Sequence, residues 1–255
     1  MSLTSLTLRF AAPLPNLERF ERYLFVGPHP DDIEIGAGAT VSRLASLGKQ
    51  ITFLICTDGR YGDENTDLRG SELARVRKEE ARQSAGLLGV EDVRFLELSD
   101  GGFYSREDLF SGIAKVIGEV QPEVIFAPDP NVSSECHVDH LNVGQAVKRL
   151  AYLASNGGIM AQYGVKPAPI QALAYYMTAR PNRFVSTRGH LQKQLDAIFT
   201  CHYSQFPAGC AGADSIRLYL KLRSIDFGIR SLKGQAEGFR VLGQTQMHCL
   251  PEADK

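Results

Sequence analysis

The sequence predicts an α/β domain of the Rossmann-like, doubly wound kind, a mostly parallel sheet with helices on both faces. Three observations carry that expectation. Short apolar, β-prone runs alternate with helical patterns along most of the chain. The helical stretches between them are long enough to be the crossovers that parallel neighbours need. No linker, repeat or break in composition divides the 255 residues. A chain of this length buries a full core as one unit, so a single domain over 1–255 is expected, with a catalytic core over about 20–210 and a helical C-terminal extension over about 211–255.

The elements follow in order. Residues 22–26 are a short apolar run ended by Gly27-Pro28, and a helical pattern over 35–47 closes at Gly48. Residues 50–56 (QITFLIC) are the next buried strand, after which the polar, glycine-rich stretch 57–70 breaks all periodicity. Ser71 suits the N-cap of a helix running to Leu88 with Gly89 as its stop, and 93–98 reads as a third strand. Within that helix the run Arg75-Val76-Arg77-Lys78-Glu79-Glu80 alternates sign and reads as a solvated face. A helix over 107–119 leads to a fourth strand, 123–127, halted by Pro128-Asp129-Pro130, and another helix begins near His140. A strand over 172–177 and helices over 187–199 and 215–229 complete the pattern.

Composition removes several function classes. With 28 basic against 29 acidic residues there is no global field to attract nucleic acid or an anionic membrane, so a small-molecule partner is expected. The five cysteines, Cys56, Cys136, Cys201, Cys210 and Cys249, form no CxxC pair, and their odd number argues against a disulfide framework and for a reducing cytoplasm. Cys136, beside His137, reads as a small semi-buried filler rather than a nucleophile or ligand. The N-terminus lacks a basic region followed by an apolar one, and no stretch approaches the ~18 apolar residues that span a bilayer. A cytoplasmic location is the expectation.

Two motifs carry the chemistry. His29-Pro30-Asp31-Asp32 follows the first strand directly, and His137-Val138-Asp139-His140 lies about ten residues after the fourth. In an open α/β sheet ligands bind beyond the carboxyl ends of the strands where strand order reverses, and in the common 3-2-1-4-5 order these two strands are neighbours. The motifs are therefore expected to face each other. Two imidazoles and one carboxylate supply three zinc ligands and leave a fourth position open, and further polar groups remain for a base and an oxyanion donor. Taken singly each piece has a structural reading: Asp31 or Asp32 can cap a helix, and His140 can start one. Two such clusters at matching strand ends are a less common coincidence, because buried unpaired charges are costly.

These residues resemble the PIG-L or LmbE-like N-acetylglucosaminyl deacetylases. PHPDDIEIGAGAT matches the family's signature loop and helix; TDG at 57–59, RKEEARQSAGLLGV, APDP at 127–130, HVDH at 137–140 and CHYSQ at 201–205 extend the likeness over most of 20–210. The resemblance implies that His29, Asp32 and His140 bind zinc, with Fe2+ or Co2+ as other metals of the site. It implies Asp31 as general base, His137 as the group that stabilises the oxyanion, and Asp139 as the residue that orients His137. The implied reaction is metal-dependent removal of the acetyl group from an N-acetylglucosamine-type conjugate. Ile33 and Val138 depart from the common family pattern without removing a ligand, and KGQAEGF over 233–239 matches the family's closing motif only loosely.

Asp58, Arg69 and Asp100 lie in loops after the second and third strands, on the metal's edge of the sheet, where they can contact sugar or serve as loop salt-bridge partners. His202 resembles a position near the family's substrate entrance and reads equally well as a structural histidine at a helix end. Two rival functions use the same residues: a non-haem iron enzyme, whose ligand triad is identical, and a sugar- or metal-binding module without turnover. The alternating strands and helices disfavour the first, and Asp31 beside the triad disfavours both. A phosphate or nucleotide hydrolase lacks its GxxxxGK[ST] or GxGxxG loop. Family analogy suggests a trimer or hexamer, and the aglycone is not fixed by the motifs.

Overall fold

Tyr23, Leu24, Phe25 and Val26 have no solvent exposure, because β1 (Arg22–Gly27) is paired along both edges and covered on both faces. The structure is a computed structural model that describes residue 7, residues 10–248 and residue 250. After β1 the chain alternates: α1 (Asp32–Ser46), β2 (Gln50–Thr57), α2 (Gly70–Leu88), β3 (Asp92–Leu98), α3 (Arg106–Val120), β4 (Val124–Pro128) and α4 (Val138–Leu153). A short α5 (Gly157–Gln162) precedes β5 (Ala172–Tyr176) and β6 (Arg183–Ser186). Then come α6 (Leu191–Asp196), a π-helical turn (Ala197–Cys201), α7 (Ala211–Ser231) and β7 (Ala236–Gly243).

The strands form one sheet in the order β3-β2-β1-β4-β5-β7-β6. β3 through β5 are parallel, and β7 and β6 are antiparallel additions at one edge. Strand order reverses between β1 and β4, which are hydrogen-bonded neighbours. Alternate residues face opposite layers. Tyr23 and Phe25 pack with Ala37, Val41 and Leu44 of α1 and Ala81, Ala85 and Leu88 of α2. Leu24 and Val26 pack with Leu109 and Ile113 of α3 and Val143, Val147 and Leu150 of α4. Phe25 stacks on Phe126 across the β1–β4 pair, with centroids 4.2 Å apart and planes 11° from parallel. Each such buried side chain contributes roughly 1.5–3 kcal/mol of transfer free energy. The central strands are thereby a rigid base for the loops at their carboxyl ends.

Several expectations are corrected. The C-terminal extension is helical only through Ser231; residues 236–243 are a strand inserted between β5 and β6. Arg240 and Glu237 interrupt its apolar pattern, so tertiary pairing rather than periodicity makes it a strand. α2 begins at Gly70 with Arg69 in the cap position, placing Ser71 inside the helix. Arg77 and Glu80 of α2 are buried, so the charge run is not a solvated face throughout. Cys136 is exposed rather than a filler, and Cys249 lies outside the described residues. Among the described residues no helix is long and apolar enough to cross a membrane.

Candidate metal centre

The loop from β1 to α1 is held open by unusual backbone. Asp31 has φ 129° and ψ −24°, a region costly for a residue with a Cβ. Two contacts over-determine the loop. Thr57 at the end of β2 donates from its amide and its hydroxyl to the Pro28 carbonyl, at 2.9 and 2.8 Å. The His29 amide donates to Asp32 Oδ2 at 2.8 Å. As a result Asp31 and Asp32 point to different partners.

Asp32 is the focus of two imidazoles. His29 Nδ1 lies 3.0 Å from Asp32 Oδ2, and His140 Nε2 lies 3.4 Å from Asp32 Oδ1. Ligand atoms of His29, Asp32 and His140 all fall within 4.8 Å of one another. Each imidazole has a second carboxylate behind it. His29 Nε2 is 3.0 Å from Asp139 Oδ2, and His140 Nδ1 is 3.1 Å from Glu135 Oε2. With the outer N–H given to a carboxylate, a metal replacing the inner N–H would meet a lone pair already directed at it, the arrangement that metal-binding histidines adopt. Asp139 is itself fixed, accepting the amides of Gly101 and Gly102 at 2.7 and 2.9 Å. The donor set therefore fits a divalent metal of the borderline class.

The electrostatics follow from this packing. Burial alone would depress His29, but the hydrogen bonds its ring donates to Asp139 and Asp32 outweigh it and hold the ring up at about 10. Against the same burial penalty, Asp32 raises His140 and is itself held well below the usual carboxylate range by His140 and His29. Asp31 behaves in the opposite way. Burial pushes its carboxyl up to about 6, with the Arg77 guanidinium opposing the shift. Burial lowers His137, and its Nδ1 accepts the Asp139 amide at 3.3 Å as the N-cap of α4. That bond selects the neutral tautomer with the proton on Nε2.

With this geometry in hand, likeness to known proteins is informative. The family described as "GlcNAc-PI de-N-acetylase", PIG-L, matches residues 24–151, the stretch from β1 through both motifs. The chain belongs to the PIG-L family. It is 32% identical over 237 residues to diacetylchitobiose deacetylase of Thermococcus kodakarensis, covering 91% of this chain and 87% of that one. It is also 32% identical over 206 residues to 1D-myo-inositol 2-acetamido-2-deoxy-alpha-D-glucopyranoside deacetylase of Kineococcus radiotolerans, covering 68% and 56%. In structure it is similar to N,N'-diacetylchitobiose deacetylase of Pyrococcus horikoshii in complex with its inhibitor MPG, with a TM-score of 0.87, 28% identity and coverage of 100% and 98%.

Six of the sequence-predicted residues, His29, Asp31, Asp32, His137, Asp139 and His140, come together at the β1–β4 switch point of this PIG-L domain. Asp139 meets His29 more closely than His137, whose Nδ1 is 3.8 Å from its carboxylate. Asp100 is buried beside them, accepting the Tyr61 amide at 3.2 Å. Asp58 forms a multiple ion pair with Arg60. Arg69 is engaged within its own loop, pairing with Asp63 at 2.9 Å and reaching the Leu68 carbonyl at 2.8 Å. His202 is fully buried against Glu34 at 3.2 Å, which supports its structural reading over a place at the entrance.

Two residues of the PIG-L site escaped the sequence reading. Glu135 lies in the loop before HVDH, five residues from His140, and a carboxylate at that distance before a ligand histidine is too common to stand out. Arg77 reaches Asp31 Oδ2 at 3.3 Å, the Pro30 carbonyl at 2.9 Å and the Gly59 carbonyl at 3.0 Å. A Cβ at Gly59 would meet Arg77 Nη1 at 2.5 Å, so glycine there makes room for the guanidinium. The surrounding charge pattern concealed it.

Proposed function

We propose that this chain is a zinc-dependent hydrolase that removes the acetyl group from an N-acetylglucosamine-type amino-sugar conjugate, releasing acetate. The observation that carries the reading is the pair of carboxylate-backed imidazoles converging on Asp32, with the separate buried carboxylate of Asp31 beside them. His29, Asp32 and His140 would hold the metal. Bound there, it supplies Lewis acidity toward the acetamide carbonyl and acidifies water at the site.

The remaining steps belong to the protein. Asp31 takes the proton of the attacking water and returns it to the departing amine, since its direction differs from that of Asp32 and burial keeps its carboxyl near the range of a working base. Arg77 holds Asp31 in place. His137, neutral and protonated on Nε2, donates to the developing oxyanion. Asp139 and Glu135 fix the tautomers of His29 and His140. The family relatives support an acetamido sugar as substrate, because those named above are deacetylases of chitobiose and of a glucosaminyl inositol.

Metal analysis of the purified protein followed by an acetate-release screen over N-acetylglucosamine conjugates tests the reading. Acetate release that is lost on chelation and restored by zinc is the expected result. Release that persists after complete metal removal, or oxygen uptake in its place, would overturn it.

A further inference from the structure

Tyr61 and Phe103 stand on the loops after β2 and β3, and their rings meet edge to face with centroids 5.8 Å apart and planes at 71°. Both are exposed, Tyr61 by 56% and Phe103 by 73%. The core gains little from rings so placed, since most of their apolar surface stays in water. Their position relative to the metal centre is set by hydrogen bonds. Gly101 lies beneath both rings: a Cβ there would be 3.2 Å from Phe103 Cε2 and 3.8 Å from Tyr61 Cδ2. The Gly101 amide donates to Asp139 Oδ2, the oxygen that also meets His29 Nε2. The Tyr61 amide donates to Asp100 Oδ2, while Asp100 Oδ1 is buried with no hydrogen-bond partner among the described residues.

An aromatic pair beside a sugar site presents an apolar surface to a ligand whose other side stays wet. A pyranose ring has that character, with one C–H-rich face and hydroxyls around its rim. We propose that Tyr61 and Phe103 form a platform for a second pyranose ring, the one joined to the acetamido sugar whose acetyl group lies at the His/Asp cluster. This rests on the deacetylase reading above. The platform selects a disaccharide over a single sugar, and Asp100 Oδ1 is the nearby acceptor for a sugar hydroxyl.

The test compares kcat/KM for N,N'-diacetylchitobiose with that for N-acetylglucosamine. In Phe103→Ala and in Tyr61→Ala the ratio falls by about tenfold, through KM on the disaccharide, and Phe103→Trp retains it. A ratio within about twofold of the parent in both alanine variants overturns the platform. If the parent releases acetate from neither sugar, the activity reading passes to the wider conjugate screen. Saturation-transfer NMR with N,N'-diacetylchitobiose then decides the platform: transfer that is lost in Phe103→Ala supports it, and transfer that is absent or unchanged overturns it.

An independent observation lies on α7. Leu218, Leu222, Ile225 and Ile229 are exposed by 58, 58, 45 and 69%, at spacings of four, three and four. That is the seam of two packed helices. The opposite face of α7 is already covered, with Ala213, Leu220, Ser224 and Phe227 buried. With Tyr219, the stripe exposes roughly 600 Å², at the upper end for the largest patch on a typical monomer, and such patches are often functional. Lys221 and Asp226, the latter also 3.4 Å from Arg230 of its own helix, flank it at the positions that pair between parallel helices in register.

We infer that α7 packs in parallel on α7 of a second copy of this chain, with Lys221 of each copy facing Asp226 of the other. Sedimentation of the full chain at micromolar concentration is expected to give an assembly that Leu222→Asp with Ile229→Asp makes smaller. Lys221→Glu alone weakens the assembly, and adding Asp226→Lys restores it. A monomeric parent, or an assembly untouched by the double aspartate variant, overturns the inference.

Discussion

Glu135 Oε2 stands 3.1 Å from His140 Nδ1, so the imidazole that faces Asp32 through Nε2 is backed by a carboxylate that precedes the HVDH motif. The same carboxylate accepts the His137 amide through Oε1 at 2.8 Å. One side chain thus sets both the tautomer of His140 and the entry of the chain into α4. Glu135→Gln keeps an acceptor for the amide and removes the charge. Zinc affinity, read by competition with a chromophoric chelator, is expected to fall by about tenfold or more.

Asp31→Asn is expected to retain metal and lose most hydrolysis, by about 100-fold or more, because a carboxamide cannot take the proton. Metal content and acetate release measured on one preparation check this. A metal-loaded, fully active variant removes Asp31 from the role of base.

Arg77→Met leaves the buried Asp31 carboxylate without its cation and two loop carbonyls without a donor. Breaking a buried pair in this way costs about 3 kcal/mol. The denaturation midpoint is expected to fall with the slope unchanged. In an Asp31→Asn background the cost shrinks, since no charge is then stranded, and the double-mutant cycle measures the coupling.

Glu34 meets the buried His202 at 3.2 Å, and also takes the Ser84 hydroxyl. Burial works against the charged imidazole, and the Glu34 hydrogen bond overrides it and raises His202. A histidine raised in the folded state contributes stability that is complete below its unfolded value near ~6.5 and lost as pH rises through the folded value. Glu34→Gln is therefore expected to cost about 3 kcal/mol at pH 6 and less at pH 9. Equal losses at the two pH values, by chemical denaturation, would contradict the pairing.

Burial raises the thiols of Cys56 and Cys201, whereas Cys136 is exposed. A thiol reagent at pH 8 is expected to modify Cys136 in the native protein and to reach Cys56 and Cys201 only on unfolding. Peptide mapping by mass spectrometry assigns the sites.

Much of the parallel half of the fold was legible in advance, because β1 and β4 are apolar runs ended by Gly or Pro, β2 is one that runs into a polar, glycine-rich stretch, and the helices between them close at Gly48 and Gly89. The antiparallel half was not. β7 carries Glu237 and Arg240, and β6 is four residues long, so neither has a period to detect. Arg77 and Glu80 were misread for a related reason: on α2 they flank the half-buried Lys78 and the exposed Glu79, and a helical pattern of charges does not say which side faces the interior.

The sequence by itself determined the chemical inventory and its coarse location: two His/Asp motifs, each at the carboxyl end of a strand, on strands that a doubly wound order makes neighbours. Local chain geometry suffices for that, since HPDD follows β1 directly and HVDH is joined to β4 by one short loop. Only the tertiary structure decided which nitrogen faces which oxygen. Asp139 turning to His29, Glu135 backing His140, and Arg77 reaching across from α2 to Asp31 all join residues from separate elements. Those pairings arise where packed layers bring charges together out of water, and a buried charge then takes whatever partner the packing supplies.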